Sequence, residues 1–372
     1  MRKIVLELQP CVKQRSGIGV YTYELAKRLK NDENLNFYGT VFNFLDRNDI
    51  SGDLTDISFD ILTNRLMPYG IYRRTWNYFP CPYNRMFNKN AEIYHFFNYI
   101  VPPNIKGKVI TTIHDIAYLL YPETMDPKNL KRINDGIDYS IQRSDMIIAV
   151  SEYTKKMILE KYNIPDNKVE VVYNSFSVSD KYTEYPDLKD KYSIDNPYIL
   201  YVGNLEPRKN IPRLIKAFSK LKKENKISHS LVIVGQKSWL FDDIFKTLED
   251  EGISDQVFFT GFVDNMDKTS FYRHADLFIY PSLYEGFGIP ILEAMAMGTP
   301  VVCSDSSSMP EVGGDAAFYI DPLDIESIAN GIETVLGNED LKKSMIDKGY
   351  NQIKKFSWDE SAEKLKTLYM SI

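Results

Sequence analysis

The sequence has few of the residues that hold metals or cross-links: four histidines and three cysteines in 372 residues. Cys11, Cys81 and Cys303 are odd in number and far apart, which fits reduced thiols in a cytoplasm better than a disulfide framework. There is no CxxC, no HExxH and no Asp-x-Asp triplet. Neither a structural zinc nor a dedicated Mg2+ site has a visible ligand set, so no metal and no cofactor is expected. No uninterrupted apolar run approaches the ~18 residues of a membrane helix. Met1-Arg2-Lys3 has the charge of a signal-peptide start. The apolar run behind it, Ile4 to Leu8, is short, and Glu7 interrupts it. It reads as a first β-strand, in a cytoplasmic protein. The net charge of -6 excludes a general polyanion binder, and no nucleic-acid partner is expected. What the chain has in excess is aromatic: 26 Tyr and 20 Phe.

At roughly 150 residues per domain the length predicts about two domains. Short β-branched or aromatic runs alternate with helical patterns along the whole chain. Ile4–Leu8, Glu92–Phe97, Val109–His114, Met146–Ser151 and Val169–Tyr173 read as strands in the first half. Helical stretches accompany them, notably Val20–Lys30, Lys128–Arg143 and Thr154–Lys161. In the second half, Tyr198–Gly203, Leu231–Gly235, Val257–Thr260, Leu277–Tyr280, Pro300–Ser304 and Ala317–Ile320 read as strands, again separated by helices. Such alternation predicts an α/β fold with parallel sheets covered by helices. Two series make two Rossmann-like domains, 1–178 and 190–356, with a polar break near 175–195 and a last helix, 358–372. In such folds ligands sit at the carboxyl ends of the strands.

The most informative string is PSLYEGFGIPILEAMAMGTPVVCSD, residues 281 to 305. A strand ends at Tyr280, a glycine loop follows, and a helix opens at Pro290, where a missing N–H costs nothing. Gly286 and Gly288 let backbone N–H groups approach a ligand, and a helix N-terminus attracts an anion such as a diphosphate. Glu285 lies in the loop and Glu293 in the expected first helical turn. Carboxylates there would repel phosphate, so they read as acceptors for sugar and ribose hydroxyls. A second string, YVGNLEPRKNIPRLIKAF from Tyr201, ends a strand at Gly203 and Asn204 and carries Arg208 and Lys209 into a helix. Two cations there would stabilise charge developing on a leaving diphosphate. A third, RSGIGVYTYELAKRL from Arg15, places Gly17 and Gly19 at a helix start. Thr22 stands where a dinucleotide fingerprint needs its third Gly, and there is no Walker Lys. His114 and Asp115 follow another strand end.

Taken together these strings resemble the retaining glycosyltransferases of GT-B fold, in the large family containing bacterial mannosyltransferases. The resemblance is strongest over residues 198–320. It implies a first domain, joined by helix 358–372 crossing back, that binds the acceptor. The second domain would bind the nucleotide sugar. It implies catalytic roles for Glu285, His114, Arg208 and Lys209. Donor contacts are implied for Gly17, Gly19, Gly203, Asn204, Val263, Glu285, Gly286, Phe287, Gly288, Ile289 and Glu293. The family's amino-terminal Gly-Gly loop matches Ser16-Gly17, with its first Gly replaced. The implied reaction moves a hexose, in first place mannose from GDP-mannose, to a glycan or lipid-linked saccharide in surface polysaccharide synthesis. A UDP-sugar transferase and a nucleotide-sugar 2-epimerase of the same fold are the alternatives.

One stretch stands outside these motifs. Between Asp60 and Glu92 there is no acidic residue. Arg65, Arg73, Arg74, Arg85 and Lys89 interleave with Tyr69, Tyr72, Trp76, Tyr78, Phe79, Tyr83 and Phe87. Basic side chains attract anionic headgroups, and Trp and Tyr settle at interfaces. Residues 61–91 are therefore expected to meet a lipid-linked acceptor or the inner face of the membrane.

Overall fold

A computed structural model describes residues 1–12, 17–48, 50–76, 78, 81–179, 181–194 and 197–372. Ser16 and Phe79, singled out in the sequence, lie outside them. The chain forms two compact units. The first comprises Met1–Ile116, Lys128–Asn174 and Ser357–Ile372; the second comprises Ala117–Pro127 and Ser175–Phe356. Residues 117–127, expected in the first domain, cluster with the second unit. Trp239 Nε1 donates to the Thr124 carbonyl at 2.8 Å, and the Tyr121 ring lies 5.6 Å from that of Tyr284.

The first unit holds seven strands: β1 Arg2–Glu7, β2 Leu35–Phe42, β3 Ile61–Asn64, β4 Ile93–Phe96, β5 Lys108–Ile113, β6 Met146–Ala149 and β7 Val169–Val171. All pairs are parallel, in the order β3-β2-β1-β4-β5-β6-β7. Parallel sheets covered on both faces need near-continuous apolar runs, and β4 and β6 are buried throughout. Strands β2 and β3 escape the sequence reading. Asn36 and Gly39 dilute the signal of the first. A Cβ at Gly39 would lie 2.5 Å from Leu8 Cδ1 and 2.6 Å from Ile61 Cδ1, so both side chains close over the glycine and would have to move for a larger residue. The second is a short, half-buried edge. The expected helix Lys128–Arg143 is two helices, Pro127–Asn134 and Ile137–Arg143, parted at Gly136.

Helix Trp358–Ser371 packs on this unit. Tyr369 Oη meets His95 Nδ1 at 2.6 Å, and Trp358 lies edge-on to Tyr21. No described helix is long and apolar enough to cross a membrane.

The second unit holds β8 Tyr198–Val202, β9 Ser230–Val234, β10 Val257–Gly261, β11 Leu277–Tyr280, β12 Val301–Ser304 and β13 Ala317–Ile320. They run parallel in the order β10-β9-β8-β11-β12-β13. Each sheet thus reverses its winding once, at β1/β4 and at β8/β11. Chain connections leave such a switch point in opposite directions and open a crevice at the strands' carboxyl ends.

Candidate active site

The second unit's switch point gathers the sequence-predicted charges. Gly203 follows β8, hydrogen-bonded through its N–H to Val234 O at 2.9 Å. A Cβ at Gly235 would stand 2.0 Å from Gly203 O, so β9 can end beside β8 only with glycine there. A short turn, Pro207–Lys209, then presents Arg208 and Lys209. Asn210 fixes the turn by donating to the Pro281 and Pro322 carbonyls at 3.0 and 2.6 Å.

From β11 the chain passes through Glu285 to a helix, Ile289–Ala296, whose cap is Gly288 at φ +110°. Glu285 is buried and heavily bonded. Its Oε1 accepts from Lys209 Nζ at 2.6 Å and from Tyr280 Oη at 3.0 Å. Its Oε2 accepts from Arg208 Nη1 at 2.9 Å. Burial alone would raise this carboxyl. The Arg208 and Lys209 charges outweigh burial and hold it down at about 2. Glu285 is therefore ionised at neutral pH, where its oxygens can accept hydrogen bonds but not donate them.

Arg208 also donates to the Tyr284 carbonyl at 2.6 Å and, through Nη2, to Glu206 Oε1 at 2.8 Å. Both cations are thus engaged with Glu285, where the sequence alone presented them to a diphosphate. Their side chains keep 17% and 11% exposure, so Arg208 is the more open of the two and Lys209 is buried. Glu206 was missed, although it stands two positions before Arg208. Tyr280 was missed because it reads as strand core.

Glu293 lies one turn deeper than expected. It sits inside the helix, buried, with Lys268 Nζ at 2.7 Å and Tyr272 Oη at 2.9 Å. Neither partner was legible locally, since both come from helix Asn265–His274. Gly286, Phe287 and Gly288 are buried in the loop, and Ser308 Oγ donates to the Glu285 and Phe287 carbonyls at 3.0 and 2.7 Å. Ile289 opens the helix, half-buried. Asn204 is exposed past Gly203; Val263 is buried after β10.

Gly17, Gly19 and His114 belong to the first unit. The two glycines open helix Gly17–Arg28. Tyr21 of that helix lies edge-on to the His114 ring at 5.2 Å. His114 Nε2 meets Phe97 O at 2.7 Å. A carbonyl only accepts, so Nε2 carries the hydrogen. Burial pushes the imidazole down to about 4, and it is neutral at pH 7.

Two Rossmann-like units, one with a carboxylate clamped by an Arg-Lys pair at its switch point, define a GT-B glycosyltransferase architecture. Residues 185–352 match the family model "Glycosyl transferases group 1", and residues 15–180 match "Glycosyltransferase Family 4". The chain belongs to this glycosyltransferase family. It is 28% identical to the O-antigen chain mannosyltransferase B of Escherichia coli over 96% of both chains. It is 33% identical to the serotype-specific mannosyltransferase WbdA of Escherichia coli, over 70% of this chain and 33% of that one. The fold matches sucrose-phosphate synthase from Thermosynechococcus elongatus with a TM-score of 0.75, covering 100% of this chain and 99% of that one at 18% identity.

Proposed function

We propose that this glycosyltransferase moves mannose from GDP-mannose to a saccharide acceptor, with the anomeric configuration retained and without a metal ion. The observation that carries the reading is the ionised Glu285 clamped between Arg208 and Lys209. Mannosyl specificity is supported by the mannosyltransferases among its relatives.

The bond from sugar C1 to the diphosphate oxygen breaks as the acceptor oxygen bonds to C1 on the same face. The acceptor proton passes to the leaving phosphate. Arg208 and Lys209 would swing part of their charge from Glu285 to the diphosphate as it develops, the work a metal does elsewhere. Glu285 would accept from the donor sugar's hydroxyls and Glu293 from the ribose. Neutral His114, its Nε2–H held by the Phe97 carbonyl, would accept at the transferred sugar through Nδ1. Thermal stabilisation by GDP, and release of GDP from GDP-mannose only when a mannoside acceptor is present, are expected. Stabilisation by UDP and not by GDP overturns the mannose assignment. Inversion at C1, followed by NMR of the product, overturns retention.

A membrane contact belongs to the same reading. Tyr72, Trp76, Tyr83 and Phe87 are buried, several around the Phe42 ring, and do not face outward. What remains outside is Leu66, Ile71 and Tyr78, at 88, 50 and 80% exposure, with the exposed Arg65, Arg74 and Arg85. This smaller surface is the one that would meet anionic lipid.

A further inference from the structure

The first sheet has its own switch point, and a second carboxyl stands there. Glu7 ends β1, in register with Thr40 of β2 and Phe96 of β4. It is buried, and its Oε1 has no hydrogen-bond partner among the described residues. Arg132, from helix Pro127–Asn134, acts on its charge, and the Arg132 Nε is likewise buried and unpartnered. Tyr69 and Arg73 complete the group. The Arg73 guanidinium lies 5.8 Å from the Tyr69 ring centroid, and both residues act on Arg132. Tyr83 closes the floor, its hydroxyl 2.8 Å from Thr40 Oγ1.

Buried polar atoms left unmet are rare and costly, at about 1–3 kcal/mol each. Here an acceptor and a donor are both unmet, at a crevice where this fold class takes ligands. The unmet atoms select the ligand. An unmet carboxyl oxygen wants a hydrogen-bond donor, which a phosphate dianion lacks, and Arg132 with Arg73 disfavours an amine. A neutral ligand with donors and acceptors fits both, and the half-buried Tyr69 ring, packed against Phe42 and Arg73, borders the group.

We propose that Glu7 and Arg132 form a saccharide subsite in the first unit, where hydroxyls of the acceptor's sugar donate to Glu7 and accept from Arg132. The assignment of that sugar as the acceptor rests on the glycosyltransferase reading; the binding itself does not. Burial pushes the Glu7 carboxyl up to about 8, against the opposing pull of the Gln9 backbone N–H and Arg132. Near neutrality it is mostly protonated and can donate as well as accept, which suits a hydroxyl further. The acid-free stretch thus supplies Tyr69, Arg73 and Tyr83 to this group.

The test uses the full chain without nucleotide. Methyl α-D-mannopyranoside and methyl α-D-glucopyranoside are the probes, read by saturation-transfer NMR. The wild type is expected to bind at least one. Glu7→Leu and Arg132→Met are expected to weaken that binding at least tenfold, with partial recovery in Glu7→Gln. Nucleoside diphosphate binding, measured by calorimetry, certifies that each variant is folded. If Glu7→Leu does not fold, Arg132→Met decides, since its side chain leaves from a half-exposed helix position. Sugar binding equal to wild type in the folded variants means the two atoms share a structural water, and the subsite falls. No saturation transfer to the wild type overturns it as well. Failure of the glycosyltransferase reading would instead appear as no turnover of any nucleotide sugar, whatever the binding result.

Discussion

Replacing Glu285 by Gln removes one negative charge from a buried group and keeps its shape. The carboxyl sits at about 2 in the folded chain, against 4.5 for its ordinary value. At about 1.4 kcal/mol per pKa unit, the ionised form stabilises the fold by about 3 kcal/mol. That agrees with the ~3–5 kcal/mol cost of breaking a buried pair. The sign follows from the depressed value. The contribution is complete above pH 4.5 and is lost as pH falls toward 2. Urea unfolding of Glu285→Gln at pH 7 should therefore show a loss of about 3 kcal/mol. The gap to wild type should shrink by about 1.4 kcal/mol per unit below pH 4.5. The freed Arg208 and Lys209 should also hold GDP more tightly by calorimetry, while transfer falls by at least a hundredfold. A stability gap that stays flat from pH 7 to 3 refutes the clamped-carboxylate reasoning. So does weaker GDP binding by a folded variant.

Two further outcomes follow from local geometry. Gly235→Ala places a methyl against the Gly203 carbonyl and should cost about 3 kcal/mol or more, with loss of GDP binding as the Arg208 turn shifts; unchanged unfolding would show that β8 and β9 can separate freely. For the membrane surface, each basic side chain near anionic lipid is worth about 1 kcal/mol, so losing two of them in Arg74→Glu with Arg85→Glu should lower cosedimentation with phosphatidylserine vesicles about thirtyfold or more. Equal sedimentation of variant and wild type removes the membrane contact.

How much of this was legible depended on distance along the chain. The loop and helix around Glu285 are one contiguous string, and strand end, glycines and Pro290 stand in their structural order. The two-unit α/β plan was legible because βα alternation is local. The partners of the site were not. Lys209 meets Glu285 across 76 residues, and Lys268 meets Glu293 across 25. No spacing rule reaches that far. Composition located the aromatic stretch but could not say which way the rings face. A signal was present: Tyr72 with Trp76, and Tyr83 with Phe87, stand four apart. That is the spacing of one buried helix face. Read that way, the stretch is a packed wall with a basic rim, and Arg73 turns inward toward Arg132.

The two sheets place a glutamate in comparable positions and treat it in opposite ways. Glu285 follows the strand beside its switch point and Glu7 ends the strand beside its own. Both are buried, so desolvation pushes both upward. At Glu285 two cations in direct contact reverse the push and leave an ion at about 2. At Glu7 the one cation among the described residues that acts on it, Arg132, makes no hydrogen bond to it, and the carboxyl stays near 8. Carboxyls whose surroundings drive them apart divide the chemistry between them. The ionised one can only accept, which suits hydroxyls of a sugar beside a diphosphate. The neutral one can also donate, which suits a sugar without charge. A chain that brought a nucleotide sugar and a neutral saccharide together could use one of each. On this reasoning the sequence position of Glu7, a charge interrupting an otherwise apolar first strand, is a binding feature rather than a flaw in the strand.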